Sequence, residues 1–547
     1  SVELAVEPAA AAAWHSAGAL LVELRTATGD TLQRLEIPWS ERERVSLTAP
    51  PEPAGYLVAA TLSGPDGELA SGWSPLSVAG DIAGDVRYGF YASYDTLGDD
   101  YGAKADMLVA LGINAVEYYD YFPAHGDYAP NEREYVFEPF GVEILVEDVQ
   151  RKIGSARARG IQSLAYVAAY AASESIYRRF PYPMTDADGV PKVFNGEIMS
   201  ERRAEREGRP KWFWLMNVAE GSLWRQYILD EFRRALDDGD DDLVAFDGFE
   251  IDTYGDASDQ VFHAPESAHS GRPLREILGG FVGEARRLTK SLRPRGMVTF
   301  NCVNEFAADE MKAVTDFLFM EIWSGYCDRL AELVEICHRH RAAHRQRVIL
   351  KLYPGDMEPP AERWPTPTLR RLLAATMTGG GGLMVAGEPD ETSGRMHALQ
   401  TLYYPDHQPL GKANEDLLRA YHRHDAMLFG YTHGPEVGNI ALAARADGCL
   451  TRVYAAPRRH ALVVQLLRPG DEPRWSVPVE EPTPASDMAF AIQLPDGLRP
   501  QAVHFATPDR ADWQRPQAVD FRLDDGVLRC RLPGLLAHGS VIISYRP

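Results

Sequence analysis

The feature that most limits the possible folds is an eightfold alternation between residue 87 and about residue 435. Short apolar, strand-like runs lie at 88–93, 115–120, 163–166, 248–252, 297–301, 317–321, 348–352 and 383–386. Helical patterns separate most of them, at 106–111, 144–159, 224–236, 274–292, 329–344 and 368–377. Parallel strands need a long crossover to bring the chain back, and a helix is the usual one. Eight strand-then-helix repeats predict a (β/α)8 TIM barrel with insertions; a doubly wound sheet is the runner-up. The excess length falls between the third and fourth runs. There, 186–210 is charged and contains glycine, so it reads as an exposed excursion near the site mouth.

The 547 residues are too many for one ordinary domain. Ahead of the repeats, strand-like runs at 19–24, 44–47 and 56–62 are punctuated by Gly-Asp, Pro-Pro and Gly-Pro-Asp-Gly, which suggests a small Ig-like β-sandwich. After about 436 the strand pattern returns at 440–442, 450–455, 461–467, 490–494, 502–505 and 540–545, consistent with a C-terminal antiparallel β-sandwich. The expected organisation is multidomain α/β: an Ig-like module at 1–85, a barrel at 86–435 and a C-terminal sandwich at 436–547.

A net charge of −23 argues against nucleic acid or anionic membrane as a partner, since both attract basic surfaces. It does not argue against a neutral sugar. No run approaches the roughly 18 apolar residues of a membrane span. The alanines at 9–13 follow acids instead of a basic segment and do not read as a secretion signal. Five scattered cysteines, Cys302, Cys327, Cys337, Cys449 and Cys530, form no CxxC and read as buried free thiols. The glycines at 379–382 lack the Lys-Ser/Thr of a phosphate loop and precede a strand, so they read as a tight turn. No metal or organic cofactor is expected.

The densest chemistry is at 244–256. Val244, Ala245 and Phe246 open an apolar run that Phe249 and Ile251 sustain, and Asp247, Glu250, Asp252 and Asp256 lie within it or just after it. Side chains alternate across a strand, so Glu250 and Asp252 share one face. At the carboxyl end of a barrel strand that face points into the mouth. A second acid, Glu321, ends the sixth run with Trp323 on the same face. Beside an aromatic in an apolar pocket its pKa would be raised, which suits a general acid. It reads equally well as a buried glutamate paired with Lys or Arg. Tyr119, Asp120 and His125 follow the second run, Tyr166 and Tyr170 the third, Asn301 and Asn304 the fifth, and Glu388 the eighth. Aromatic faces, amides and acids in one ring are the chemistry of sugar binding.

The chain resembles glycoside hydrolase family 66, the dextranases and cycloisomaltooligosaccharide glucanotransferases. The resemblance rests on Arg87-Tyr88-Gly89-Phe90, Ile113-Asn114-Ala115, Tyr118-Tyr119-Asp120, Tyr170-Ala171-Ala172, and Asn217 with Trp224 and Tyr227. It continues through Phe246-Asp247-Gly248, Asp252-Thr253, Gly255, Asn301, Val303-Asn304 and Glu321-Ile322-Trp323, in order from about 87 to 410. It implies an Ig-like module before the barrel and a β-sandwich after it, with Asp252 as nucleophile and Glu321 as acid/base. The chain departs from the family pattern at Val218, where proline is common, and at Tyr121, where tryptophan is usual. It departs again at Lys351-Leu352-Tyr353-Pro354, where a more Asn-rich end is expected. These differences bear on the substrate pocket more than on the acids.

The expected activity is retaining hydrolysis of α-1,6-glucosidic bonds in dextran or isomaltooligosaccharides. Asp252 and Glu321 would stand about 5–5.5 Å apart, with Trp323 supplying an apolar shelf for Glu321. Tyr119, Asp120, His125, Tyr170, Asn217, Glu250, Asn301, Asn304, Trp323 and Glu388 are the expected sugar contacts. Transglycosylation to linear or cyclic isomaltooligosaccharides is the first alternative, although no space is found in the barrel for the carbohydrate-binding insertion of the cyclising enzymes. An α-glucan enzyme of other linkage specificity and a non-catalytic glycan-binding barrel are the others. No inward Lys other than Lys351 and no His pair at ligand spacing on a strand favours an aldolase or a metallohydrolase. His338 and His340 read as helix surface.

Overall fold

The computed structural model describes residues 2–6, 18–39, 43–237, 239, 243–254, 257–258, 260–353, 365–399 and 408–546. Its centre is a set of eight parallel strands: β1 (Tyr88–Tyr91), β2 (Ala115–Tyr118), β3 (Gln162–Val167), β4 (Gly248–Ile251), β5 (Val298–Phe300), β6 (Leu318–Trp323), β7 (Val348–Tyr353) and β8 (Gly382–Met384). Each coincides with one of the eight apolar runs. Strands β1 to β5 pair side by side in chain order, as do β6 to β8. A parallel bridge between Asn301 and Phe319 joins the two groups. The chain leaving β8 returns to β1 at two glycines. A Cβ on Gly387 would lie 2.3 Å from the Phe90 carbonyl oxygen, and one on Gly89 would lie 2.9 Å from that of Ala386. Only glycine permits this approach of backbones.

A helix follows every strand: Tyr101–Ala110, Val146–Arg157, Leu223–Leu236, Leu274–Leu292, the single turn Ala308–Met311, Leu330–His344, Thr366–Thr378 and Lys412–Met427. The helix after β4 buries Leu274, Ile277, Leu278, Phe281, Val282 and Ala285, a stripe at helical spacing that faces the strands. The helix after β8 has only a short stripe, Leu417, Leu418 and Tyr421. Its buried face also includes Asn414, Glu415, His422, His424 and Asp425, which obscures the apolar periodicity. His340 departs from its surface reading too: it is buried against Glu305.

Alternation along the strands builds the interior in layers. Tyr88, Phe90, Ala115, Leu164, Met297, Phe317, Phe319, Ile349 and Met384 make one buried apolar cluster. Inward positions nearer the carboxyl ends are polar instead: Glu117, Tyr166, Glu250, Asn301, Glu321 and Lys351. The strands thus rest on an apolar plug and present charge at one end.

The excursion between β3 and β4 is more ordered than its composition suggested. Ala171–Ala172, Phe213–Leu215, Lys192–Phe194 and Ile198–Ser200 form a four-stranded antiparallel sheet with Val193 fully buried. Phe194 and Phe213 rest on Tyr254, with ring centres 5.1 and 4.9 Å away, so this sheet backs the loop that follows β4.

Before β1, Thr31–Pro38, Ala19–Thr26, Ala54–Gly64 and Gly67–Val78 form an antiparallel sheet in that spatial order. After residue 437, a six-stranded and a four-stranded antiparallel sheet share a core that includes Leu462, Val464, Phe490, Ile492, Phe505 and Leu528. The run at 440–442 is not a strand. Gly438–Asn439 pairs in the larger sheet and Ala444–Ala446 in the smaller, and the residues between them carry the chain across, with Leu442 N donating to Ile440 O at 3.1 Å. The five cysteines are free, and all but half-buried Cys449 are buried. Among the described residues no helix is long and apolar enough to cross a membrane.

Candidate active site

Asp252 is the first residue after β4, held there by its N–H to Val167 O at 2.7 Å. Asn301 is the first residue after β5 and Glu321 lies on β6. The Asn301 amide joins the two acids: Nδ2 donates to Asp252 Oδ1 at 2.8 Å and to Glu321 Oε2 at 3.1 Å, and Oδ1 accepts from Glu321 N at 3.2 Å. Those two carboxylate oxygens therefore stand no farther apart than the two Nδ2 distances laid end to end. Asp252 accepts two more hydrogen bonds, from Tyr166 Oη at 2.6 Å and from Thr253 N at 2.8 Å. Trp323 meets Glu321 through its indole N–H, at 2.6 Å to Oε1, and turns its ring onto Tyr353. This corrects the expectation of an apolar shelf, because the indole presents its polar edge, not its apolar face, to the carboxyl.

Charge is crowded here. Burial first, and then the Glu321 carboxylate, raise the Asp252 pKa to about 6; Tyr166, Lys351 and Asn301 oppose the shift. Below it, Glu250 is 1% exposed, and neither of its oxygens has a hydrogen-bond partner among the described residues. Burial, Glu117 and Asp252 push its pKa well above the carboxylate range. Asp120 is raised in the same way, by burial and then by Asp252. Lys351 Nζ lies 3.8 Å from Glu321 Oε2, as the reading of Glu321 as an ion-paired glutamate expects.

The sequence-predicted residues divide into two groups. Asp252, Glu321, Asn301, Trp323 and Asn304 are joined by hydrogen bonds, the last accepting from Trp323 N at 3.1 Å. Tyr119 packs on Tyr166 at 4.5 Å, and Asp120 and Glu250 face Asp252 electrostatically. The other four serve elsewhere. His125 is buried among Phe122, Phe137, Phe213 and Tyr254, and burial lowers its pKa to about 3. Tyr170 is fully buried and bonds Thr253 Oγ1 and Tyr254 N. Asn217 caps a local turn by accepting from Ala219 N at 3.1 Å. Glu388 spends its oxygens on Lys152 Nζ at 2.9 Å and on the N–H groups of Ala92 and Ser93. Asp247 binds Ser163 N and Arg157 outside the strands, and Asp256 lies outside the described residues. Asp120, Asn304 and Glu388 have φ of 51°, 48° and 36°, a left-handed backbone that L-residues adopt at a cost and that clusters at functional sites.

Tyr166 and Lys351 were not among the predicted contacts. The signal was available: each is an inward residue in register with an acid, Tyr166 opposite Glu250 and Lys351 opposite Glu321. Among the described residues, the one cluster with metal-ligand spacing is Asp85, Asp425 and His433. It lies at the amino ends of the strands, and Arg87 and Arg347 already neutralise it.

The model of the family described as Glycosyl hydrolase family 66 matches residues 22–537. The chain belongs to glycoside hydrolase family 66. It is accordingly an enzyme of the glycoside hydrolase class. A cycloisomaltooligosaccharide glucanotransferase from Niallia circulans is 24% identical over 276 residues, which are 47% of this chain and only 27% of that relative. A Paenibacillus sp. cycloisomaltooligosaccharide glucanotransferase, crystallised with cycloisomaltoheptaose, superposes with a TM-score of 0.76 at 16% identity. That match covers 96% of this chain and 95% of the other, so the two share a fold from end to end.

Proposed function

We propose that the eight strands close into a (β/α)8 barrel, between an Ig-like module ending near residue 85 and a β-sandwich beginning near residue 436. On this reading its mouth cleaves α-1,6-glucosidic bonds of dextran or isomaltooligosaccharides with retention of configuration. Asp252 attacks the anomeric carbon as Glu321 gives its proton to the departing oxygen. A covalent glycosyl ester on Asp252 follows. Glu321, now a carboxylate, takes a proton from water, and the resulting hydroxide releases the sugar.

One observation carries the reading: a single amide nitrogen bonds both carboxylates, at 2.8 and 3.1 Å. Inverting pairs stand roughly 6.5–9.5 Å apart to admit a water, and retaining pairs about 5–5.5 Å. Two oxygens on one nitrogen fit the shorter class. The donors on Asp252 suit a nucleophile that must be ionised, and the family and the cycloisomaltooligosaccharide named in both relatives' descriptions support the substrate class. Both relatives are named glucanotransferases, which favours a second reading in which a sugar hydroxyl replaces water as acceptor.

Dextran incubated with the enzyme should yield shorter isomaltooligosaccharides, and neither Asp252→Ala nor Glu321→Gln should do so. Wild-type turnover in either variant would refute the assignment. Products analysed by mass separate the acceptors: cyclic products are lighter than linear ones by one water.

A further inference from the structure

The mechanism above leaves a buried cation unused. Lys351 is 5% exposed on β7, directly across from Glu321 in the β6–β7 register. Its Nζ stands 3.8 Å from Glu321 Oε2, inside a sleeve of rings: Tyr353 at 5.3 Å, Tyr119 at 5.8 Å and Phe319 at 5.9 Å. The groups facing it come from several strands: Glu117 from β2 and Asp120 just beyond it, Glu250 from β4 and Asp252 just beyond it, Glu321 from β6 and Tyr353 from its own strand. Desolvating an ammonium is expensive unless anions repay it, and at this spot they surround it. Burial alone would lower its pKa, but Tyr353, Glu117, Glu321 and Asp252 raise it instead, so it stays charged throughout the working range.

Resting on the retaining reading, we propose that Lys351 is a positioning residue for the acid step, its fixed ammonium stabilising the Glu321 carboxylate that appears as the proton passes to the leaving oxygen. In that step the C1–O bond breaks, the Asp252–C1 bond forms, and the proton moves from Glu321 to the departing oxygen. Lys351 exchanges nothing. Its charge lies nearer the carboxylate that forms than the sugar, so it acts on the barrier more than on binding. The same charge holds Asp252 ionised to lower pH than its burial would otherwise allow. At 3.8 Å from Glu321 Oε2 the ammonium acts on that carboxyl through its charge.

The test pairs Lys351→Met with Lys351→Arg in the full chain, assayed on dextran and on α-glucosyl fluoride, whose leaving group needs no proton. Lys351→Met should lower kcat on dextran about tenfold or more with KM little changed, and should move the acid limb of kcat/KM upward by about one pH unit. The loss on the fluoride should be much smaller. Lys351→Arg should restore the limb toward wild type. An unshifted limb in folded Lys351→Met, or equal losses on both substrates, would overturn the proposal. If Lys351→Met does not fold, Lys351→Gln and the arginine variant give the same two readouts. Activity surviving in Asp252→Ala or Glu321→Gln would instead sink the retaining reading on which this one rests.

Discussion

Two buried charged clusters lie at opposite ends of the same eight strands, and their chemistry differs. At the amino end Asp85 pairs with Arg87 at 2.7 Å and Asp425 with Arg347 at 2.5 Å, with His433 between the two acids. Two carboxylates meet two guanidiniums. Despite burial, Arg87 and His433 hold Asp85 below the usual carboxylate range, as Arg347 and His433 hold Asp425. At the carboxyl end Glu117, Asp120, Glu250, Asp252 and Glu321 face the ammonium of Lys351. There burial wins, and Asp120, Glu250 and Asp252 are raised. A balanced buried network locks strands together. An unbalanced one is costly to the fold, and such imbalance concentrates where proton transfer is needed.

If that contrast is sound, mutations at the two ends should separate activity from stability. The largest effect belongs to Asp252→Ala and Glu321→Gln, which should lower kcat on the order of 10³-fold or more. Thermal unfolding should show Tm unchanged or raised, since a crowded charge is removed. At the other end Arg347→Met leaves buried Asp425 without its guanidinium and should cost about 3–5 kcal/mol in denaturant unfolding. Its kcat per folded molecule should equal wild type; a catalytic loss there would break the comparison.

Tyr166→Phe deletes one hydrogen bond to Asp252. A drop of about tenfold in kcat, the worth of one bond to a charged group, is expected with little change in KM. The pH profile sharpens the same point. The Asp252 pKa of about 6 stands above the ordinary 3.8, so its ionised fraction falls as pH drops through 6. The kcat/KM of the wild type should fall with it, and full activity at pH 4.5 would contradict the assignment. The smallest effect on catalysis is that of His125→Phe. This ring is neutral at any working pH and its Nδ1 lies 3.2 Å from the buried Tyr254 hydroxyl, so the swap should cost about 1–3 kcal/mol of stability and leave kcat/KM near wild type.

These cases also mark what a single sequence discloses. The eight strands were legible because each is a short, nearly continuous apolar run buried on both faces, and the long stripe of Leu274 to Ala285 was legible from its helical spacing. The helix at Lys412–Met427 was not, because it buries polar groups against the amino-end cluster and the flanking sheets. Asp252 and Glu321 stood out as acids in apolar surroundings. The roles of Glu388 and His125 did not, because a strand-end position cannot tell whether a side chain turns to the mouth or to a neighbour such as Lys152 or Tyr254. Lys351 was visible as an inward lysine, but its meaning depends on register: only when β6 and β7 align does it fall opposite Glu321.

The central claim is a covalent glycosyl ester on Asp252, and trapping it tests that claim most directly. The enzyme would be treated with 5-fluoro-α-glucosyl fluoride, which forms such esters faster than they hydrolyse, then digested and sequenced by mass spectrometry. The account predicts one fluoroglucosyl unit on the peptide carrying Asp252, at Asp252 itself, and none in Asp252→Ala. A label on another carboxylate, or no label while dextran cleavage releases the inverted anomer, would contradict it.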